Sequence, residues 1–386
     1  MRICIAYDCL FPWTIGGAER WYRSLAERLA ADGHDVTYLT RLQWDPNDPP
    51  TIEGVKIVAV SGADELYGAD GNRRVGPPLC FGRGVLGHLL RHGRSYDVVH
   101  LCSFPYFSVL AAALARPVGR YKLVVDWFEV WSPDYWRGYL GKTGGWIGAA
   151  IQRLCASVPQ SAHCFSHRHA MRLRQQGLRV EPIFVGGLYD GPLETPQPQA
   201  AERFVLFAGR QIAEKNAVAA VAAIARARER GLDVGGLILG DGPEHQAVLD
   251  QIDALGMTDF ISAPGFVDGA AVEDAMTRAL CLLHPSSREG YGLVVVEASA
   301  HGTPTIVVEG PDNAAVELVE PGVNGIVAAS ADRDALANAL IAVAELGVEL
   351  RERTCAWFEA NAQRLSLSSS LDTVAATYAA EPSARA

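Results

Sequence analysis

Two carboxylates in the segment 285–304 have a spacing that suits a ligand-binding site. Glu289 and Glu297 are separated by seven residues, and Gly290 and Gly292 lie between them. A single glutamate in a loop or a helix is usually solvated. A pair of glutamates that encloses two glycines after an apolar strand places two strong hydrogen-bond acceptors beside permissive backbone. We therefore predict that both carboxylates contact a ligand.

The same segment contains the start of a helix. Leu293–Val296 has the propensity of a strand, but residues 297–301 followed by Gly302 are typical of the end of a helix. A helix that begins near Gly292 has free backbone N–H groups at its first turn, and these groups form an anion-binding site.

Two other groups of residues, a histidine group and a glycine pattern, do not predict a functional site. His163, His167 and His169 suggest a metal cluster, but a strand end that enters a helix does not make their side chains converge. We expect no metal site. The Gly240–Gly242 pattern lacks the spacing and the following acidic residue of a dinucleotide-binding fold, which argues against a nicotinamide enzyme.

The elements that must position these residues alternate between strand and helix. An apolar strand at 2–6 is followed by a loop with Gly16 and Gly17, an amphipathic helix and a strand at 36–39. This order begins a parallel, doubly wound sheet. Further strands are predicted at 55–60, 98–101, 123–125 and 163–166.

A linker at 186–202 separates two halves, because it is poor in apolar residues and contains Gly187, Pro192, Pro196 and Pro198. A second α/β alternation follows, with elements predicted at 204–208, 217–230, 236–239, 243–255, 260–262, 272–279, 280–284 and 305–308. The pattern predicts an α/β protein in which two Rossmann-like domains, 1–185 and 203–365, face a cleft.

Composition excludes several classes of protein. Among 386 residues, 34 Lys and Arg against 44 Asp and Glu give a net charge of −10, with charges scattered along the chain, so nucleic-acid binding is not expected. No apolar run reaches the roughly 18–20 residues of a membrane span. Asp8 places a carboxylate where a signal peptide would need an apolar stretch, which argues against a signal peptide. The eight cysteines form no CxxC pair. We expect a folded cytoplasmic protein.

The segment 289–297 resembles the EX7E motif of retaining GT-B glycosyltransferases, most closely of family GT4, and the resemblance extends over nearly the whole chain. Four further landmarks are similar to the family and occur in its order. They are the glycine loop at 16–19, the Arg/Lys pair Arg210 and Lys215 after Gly209, the segment 240–243 and the segment 321–325.

The resemblance implies a role for each of these residues. Arg210 and Lys215 would neutralise the diphosphate of a nucleotide-sugar donor and stabilise it as the leaving group, which makes them catalytic residues together with Glu289. Glu297 would accept hydrogen bonds from the ribose, and Glu289 would hold sugar hydroxyls. Further donor contacts are implied for Gly16, Gly17, Gly290, Tyr291, Gly292, Leu293 and Val294, which offer backbone close to the phosphates or the sugar.

An aromatic segment is the candidate for acceptor binding. Residues 127–146 contain seven aromatic residues, a density far above the 8% of the whole chain. Aromatic faces stack on sugar rings, and Trp and Tyr also suit a peripheral membrane contact. Packing of a loop on the N-terminal core is the alternative. We predict that the acceptor is bound by Trp127, Phe128, Glu129, Trp131 and Tyr135.

Phe128 departs from the family pattern. Many relatives have a histidine before an acidic residue, close to the C6 hydroxyl of the donor sugar, where this chain has Phe128 before Glu129. A phenyl ring cannot form that hydrogen bond, and burying a hydroxyl against it costs about 1–3 kcal/mol. We predict a donor sugar without a C6 hydroxyl, either a 6-deoxy sugar or a pentose. A shifted alignment or a loss of activity would also explain the residue.

The resemblance implies a retaining, metal-independent hexosyl- or pentosyltransferase without a cofactor. Its donor would be a UDP-, GDP- or dTDP-linked sugar, and its acceptor a sugar, a lipid or a natural product. A C-terminal helix within 366–386 would return to the N-terminal domain, and closure of the domains would assemble the site. A sugar-nucleotide epimerase and a non-catalytic sugar-nucleotide-binding partner are the alternatives.

Overall fold

The computed structural model describes residues 1–63, 74, 76–195, 197 and 200–379. The chain forms two compact units. The first unit comprises residues 1–188 and the C-terminal segment from Ser368, and the second comprises residues 189–367. Of the predicted linker, Pro196 and Pro198 lie outside the described residues, as does the part of the predicted C-terminal segment after Ala379.

The first unit is built on a parallel sheet of seven strands. Its order is β3-β2-β1-β4-β5-β6-β7, so the direction of strand addition reverses between β1 and β4. The central strands are apolar on both faces because helices cover both sides, as is usual in parallel sheets. The strands are β1 Arg2–Ala6, β2 Asp35–Arg41, β3 Val55–Ser61, β4 Val98–Cys102, β5 Lys122–Trp127, β6 Ser161–Cys164 and β7 Ile183–Phe184.

Helices α2 to α5 share one hydrophobic core with this sheet, in which side chains such as Phe81, Val109, Trp136 and Leu173 are buried. The helices of the unit are α1 Gly17–Ala31, α2 Gly76–His92, α3 Phe107–Gly119, α4 Pro133–Ser157, α5 His167–Gln175 and the last helix, α11 Leu367–Ala379. A short 3₁₀ turn, Gly93–Ser95, follows α2.

From Ser368 onward, α11 is held to the first unit by polar contacts as well as by packing. The hydroxyl of Tyr378 lies 2.5 Å from Nδ1 of the buried His100, and Arg28 donates to Asp372 over 2.6 Å. Lys122 donates to the carbonyl of Thr377. The first unit is therefore assembled from both ends of the chain.

The second unit has a parallel sheet of six strands in the order β10-β9-β8-β11-β13-β15, and β12 pairs with β14 beside it. The strands are β8 Phe204–Ala208, β9 Gly235–Leu239, β10 Ile261–Gly265, β11 Cys281–His284, β12 Arg288–Glu289, β13 Thr305–Val308, β14 Asp312–Asn313 and β15 Gly325–Ala328. Its helices are α6 Ala217–Glu229, α7 His245–Ala254, α8 Gly269–Arg278, α9 Leu293–Ala300 and α10 Arg333–Leu365, with 3₁₀ turns at Ala213–Lys215 and Ala314–Leu318.

Most predicted strands and helices are confirmed, and β8 and β13 match to the residue. The strand predicted at 163–166 instead covers Ser161–Cys164, because Ser166 caps α5 by accepting a hydrogen bond from the His169 N–H over 3.2 Å. The strand predicted at 260–262 covers Ile261–Gly265. Both differences lie at element ends, where a capping side chain or a glycine decides the boundary.

Candidate functional site in the second unit

The predicted anion site lies at the carboxyl edge of the second sheet. Strand order reverses between β8 and β11, and ligands of such sheets bind outside the carboxyl ends of the strands at this reversal. The loop after β8 contains Arg210 and Lys215, and the loop after β11 contains Glu289. The topology therefore joins residues that are far apart in the sequence.

Lys215 and Glu289 form an ion pair at this edge. The ammonium of Lys215 donates to Oε1 of Glu289, and His284 Nε2 lies 2.7 Å from the same oxygen. Burial raises the pKa of Glu289, but Lys215 and His284 outweigh it and hold that pKa well below its usual range. Glu289 is thus an ionised carboxylate whose charge is balanced within the site.

Contacts between the two loops fix this pair. The N–H of Ser287 donates to the carbonyl of Glu214 over 2.9 Å, and Arg288 lies 3.3 Å from the Glu214 carboxylate. Asn313, which is fully buried, donates its side-chain amide to the carbonyl of Ser286 over 3.0 Å. Backbone and side-chain bonds together define where Glu289 can lie.

The helix predicted near Gly292 is confirmed, since α9 begins at Leu293 and Gly292 is its N-cap residue. Gly292 has a φ of 101°, in the region that favours glycine, and a Cβ there would lie 2.6 Å from the Cβ of Ala315. Tyr291 is buried, whereas Leu293 and Val294 are half-buried. The first turn of α9 therefore follows Glu289 directly.

Arg210 lies in the exposed turn after β8. Among the described residues, its guanidinium makes no hydrogen bond or ion pair within the unit. The turn packs closely on the predicted landmark after β9, because a Cβ on Gly240 would lie 2.0 Å from the carbonyl oxygen of Gly209. Gln211, which is fully buried, donates to the Gly240 carbonyl over 2.7 Å and keeps the two turns together.

Glu297 is half-buried on α9, one helical turn beyond the first residues of that helix. Burial raises the pKa of Tyr189 to about 12, and the charges of Glu297 and Glu273 contribute smaller increases. Seven residues separate Glu297 from Glu289 in the chain, and both carboxylates belong to the loop and helix that follow β11.

In the first unit, the Gly16-Gly17 turn opens α1. Gly16 is the N-cap residue in extended backbone, and Gly17 is the first helical residue, where an added Cβ would meet no atom within 4 Å. Glu19, also in the first turn, is buried and accepts a hydrogen bond from the Tyr7 hydroxyl over 3.3 Å. The space beside Gly17 is open to a ligand.

The five aromatic-segment residues do not share one environment. Trp127 is fully buried, and its indole N–H donates to Gln160 over 2.9 Å. Its predicted contact with an acceptor is therefore wrong, because the ring packs in the core of the first unit.

Of the other four residues, Phe128, Glu129 and Tyr135 are half-buried, whereas Trp131 is buried and only 8% exposed. Phe128 is half-buried and stacks on Phe165, with 4.1 Å between ring centroids. Trp131, whose indole donates to Glu129 over 2.6 Å, contacts the ring of Tyr135 at 4.8 Å between centroids. These contacts join the side chains of the segment to one another and to Phe165.

The predicted lack of convergence among the three histidines is confirmed. His163 points to Asp126, His167 stacks on Phe184, and His169 accepts a hydrogen bond from the Val130 N–H. A different group lies together instead, because Asp126 meets both His163 and His100.

The buried Asp126 is a hydrogen-bonded centre of the first unit. Its carboxylate lies 2.8 Å from the indole nitrogen of Trp21, 2.9 Å from His163 Nδ1 and 2.7 Å from His100 Nε2. Burial raises the pKa of Asp126, but the two histidines outweigh it and keep that pKa well below its usual value. We assign this cluster to the structure of the unit, since hydrogen bonds already satisfy the carboxylate.

Sequence reasoning missed His284 and Gln211. His284 ends an apolar strand and has no motif around it, and its contact with Glu289 depends on the turn between β11 and β12. Gln211 directly follows Arg210, which is the only signal that the sequence offers for it.

Two parallel-sheet units, each with charged or glycine-rich loops at the carboxyl edge of its sheet, define the architecture of GT-B glycosyltransferases. Two family profiles match consecutive parts of the chain. The profile described as "Glycosyl transferase 4-like domain" matches residues 16–187, and the one described as "Glycosyl transferases group 1" matches residues 194–356. The chain belongs to the group 1 glycosyltransferases, of the GT4 type.

Individual relatives agree with this family. The chain is 27% identical to the glycogen synthase of Mycobacterium tuberculosis, over 96% of this chain and 91% of that protein. It is 28% identical to the alpha-D-kanosaminyltransferase of Streptomyces kanamyceticus, over 42% of this chain and 44% of that protein.

In the described part of the chain, none of the helices combines the length and apolar character needed to cross a bilayer.

Solved structures share the fold. Anabaena HepE in complex with UDP has a TM-score of 0.74 at 18% identity, with 98% of this chain and 99% of that chain covered. The sucrose-phosphate synthase from Thermosynechococcus elongatus has a TM-score of 0.79 at 18% identity, with 98% of each chain covered.

Proposed function

We propose that this glycosyltransferase uses a nucleoside-diphosphate sugar as its donor and binds it at the carboxyl edge of the second sheet. The observation that carries the proposal is the meeting of Lys215 and Glu289 at the strand reversal, directly before the first turn of α9. A cation, a carboxylate and free helical N–H groups suit a diphosphate joined to a polyol. HepE, a relative in fold, holds UDP in its solved structure.

The residues have separate roles in this proposal. Arg210 and Lys215 bind the diphosphate and stabilise the charge that grows on it as the glycosidic bond breaks. Glu289 accepts hydrogen bonds from sugar hydroxyls, with His284 as its second partner when Lys215 turns to the phosphates. Glu297 accepts hydrogen bonds from the ribose hydroxyls. Gly290 and the backbone of residues 291–294 contact the phosphates or the sugar.

We propose that transfer retains the configuration at the anomeric carbon and needs no metal. Arg210, Lys215 and the N-terminus of α9 supply the positive field that a divalent ion supplies in other folds. The donor phosphate itself accepts the proton of the attacking hydroxyl, so no protein base is required. Activity that survives chelation by EDTA, and an NMR spectrum with the donor's anomeric configuration in the product, are the expected results.

We propose that the first unit binds the acceptor, which is a sugar, a lipid or a natural product. The half-buried residues Phe128, Glu129 and Tyr135, with the exposed 8% of Trp131, offer aromatic faces and one carboxylate, a combination that suits the faces and hydroxyls of a sugar ring. Gly16 and Gly17 are further donor-binding residues in this proposal, because glycine exposes its backbone N–H groups without a Cβ.

One experiment tests the reaction. The protein is incubated with a panel of UDP-, GDP- and dTDP-sugars, with and without sugar acceptors, and the products are identified by mass spectrometry. Release of nucleoside diphosphate together with a glycosylated acceptor is expected. An isomerised donor with no acceptor consumed would indicate an epimerase, and binding without turnover across the whole panel would contradict the proposed catalysis.

A further inference from the structure

The outer face of α4 carries an apolar stripe, which we call the α4 stripe and define as Trp146, Ile147, Ala150 and Leu154. The exposed fractions are 73% for Trp146, 48% for Ile147 and 55% for Leu154. Helical residues three or four apart share a face, so the four side chains form one continuous surface. Scattered exposed apolar residues are ordinary, but three large ones on adjacent turns are not.

The opposite face of the same helix is packed against its own unit. Gly145, Gly148, Gln152 and Cys155 are buried, and a Cβ on Gly148 would lie 2.4 Å from the ring of Trp136. The helix is therefore held close to the core, and its orientation is fixed. The α4 stripe points outward because it lies on the side of the helix opposite the buried face.

Positive charge lies along one side of the α4 stripe. Lys142 and Arg153 are exposed and lie along one side of it, at positions that share its face. Between Asp134 and Glu181 the chain has no Asp or Glu, although its net charge is −10. The expectation of evenly scattered charge is wrong here, since this segment contains Arg137, Lys142, Arg153, Arg168, Arg172, Arg174 and Arg179.

We propose that the α4 stripe docks the protein on a bilayer surface that contains anionic lipid. An exposed helix face with Trp, Ile and Leu at its centre and cations at its side has the composition of helices that lie in the plane of a membrane interface. Trp146 enters the headgroup region, and Lys142 and Arg153 meet the lipid phosphates. A nucleic acid is a poorer match, because Ile147, Ala150 and Leu154 offer aliphatic surface and Trp146 is the single aromatic ring of the stripe.

Vesicle co-sedimentation of the full chain tests the proposal. We expect binding to phosphatidylcholine vesicles that contain phosphatidylglycerol, weak binding to phosphatidylcholine alone, and release at high salt. Trp146→Ser should weaken the partition about tenfold, because apolar area is lost from the interface. Arg153→Glu should weaken it about fivefold or more, because one cation is lost and one anion is added.

Two matched variants separate docking from general effects of exposed residues. Phe266 in the second unit is 74% exposed, and Arg333 is an exposed arginine on α10. Phe266→Ser and Arg333→Glu should bind vesicles as the wild type does. Circular dichroism and the melting temperature check that each variant is folded.

Three results would overturn the proposal. The first is an absence of binding to anionic vesicles, and the second is equal binding by Trp146→Ser and the wild type. The third is a concentration-dependent dimer in light scattering that Trp146→Ser abolishes, because the stripe would then be covered by a second copy of the chain.

Discussion

Lys215 and Arg210 carry the same charge in different surroundings, and their removal should have different consequences. We expect Arg210→Ala and Lys215→Ala each to lower kcat about a hundredfold, with a smaller rise in KM, because both act on charge that grows in the transition state. Steady-state kinetics with the donor that releases nucleoside diphosphate measures both parameters. Wild-type kcat in both variants would mean that the pair is structural.

Stability separates the two variants. Lys215→Ala leaves the Glu289 carboxylate with fewer partners, so the free energy of unfolding should fall by about 1–3 kcal/mol. Arg210→Ala should leave it unchanged, since that side chain is exposed at the turn after β8. Urea denaturation of both proteins provides the comparison.

The depressed pKa of Glu289 predicts a pH dependence of stability. A carboxyl whose pKa is lower in the folded protein contributes stability above its unfolded pKa, and the contribution is lost as the pH falls through the folded value. The wild type should therefore exceed Glu289→Gln in free energy of unfolding most at neutral pH, and the difference should shrink below about pH 4. Glu345→Gln, a substitution of an exposed residue on α10, is the control and should show no such trend.

Glu297 should contribute to affinity for the nucleotide more than to chemistry. Glu297→Ala removes a charged acceptor from the ribose, which is worth roughly 1.5–3 kcal/mol. Calorimetric titration with the nucleoside diphosphate that stabilises the protein most in a thermal-shift panel should then show an affinity at least tenfold lower. An unchanged dissociation constant would reject the ribose contact.

Phe128 sets an expectation for the donor sugar. Its ring stacks on Phe165, so it presents an apolar edge that cannot hydrogen-bond a C6 hydroxyl. We expect kcat/KM to favour a 6-deoxy sugar or pentose donor over the matching hexose, and Phe128→His to shift selectivity towards the hexose. A wild-type preference for the hexose would contradict this assignment.

At the residue scale, the spacing of residues along the chain predicted parts of the candidate site, whereas side-chain contacts across a turn could not be predicted from the sequence. Glu289, Gly292 and the start of α9 could be predicted because a glycine and a carboxylate mark a helix start in any sequence. The partnership of His284 with Glu289 could not, because it depends on the path of the four residues between them. Trp127 was misjudged for a related reason, since aromatic density does not reveal which rings face the core.

The first turn of α1 allows a test of backbone approach to the ligand. Gly17→Ala adds a methyl group where no protein atom lies within 4 Å, so the melting temperature should not fall. If the diphosphate lies against this backbone, the methyl group should lower kcat/KM about tenfold or more. Gly269→Ala is the matched control, because Gly269 also begins a helix and has no atom within 4 Å of an added Cβ. Equal kcat/KM in both variants would remove Gly17 from the donor site.

At the element scale, strands were easier to locate than long helices. The apolar runs of β8 and β13 are bounded by charged, glycine or proline residues, and their limits could be predicted to the residue. The helix α10 continues for 33 residues across a break at Gly347, and its alanine-rich sequence has weak one-sided periodicity. Sequence alone therefore left its length undefined.

At the scale of the whole molecule, the two-sheet architecture could be predicted from the repeated strand and helix alternation on either side of a proline-rich segment. The charge distribution could not be inferred from the total. A net charge of −10 conceals the stretch between Asp134 and Glu181 that has cations and no carboxylates. The net charge of the whole chain therefore does not show how charge is distributed over individual segments.

The return of the chain to its first unit has a consequence for biosynthesis. Residues 189–367 form an uninterrupted unit, which can fold as soon as it leaves the ribosome. The first unit is translated earlier, but its last helix, which places Tyr378 against His100, is translated only after residues 189–367. A polypeptide that stops before α11 would keep that buried cluster uncovered and offer its N-terminal half to proteases. Premature termination would thus mark the nascent chain for degradation, even when every residue of the proposed donor site has been made.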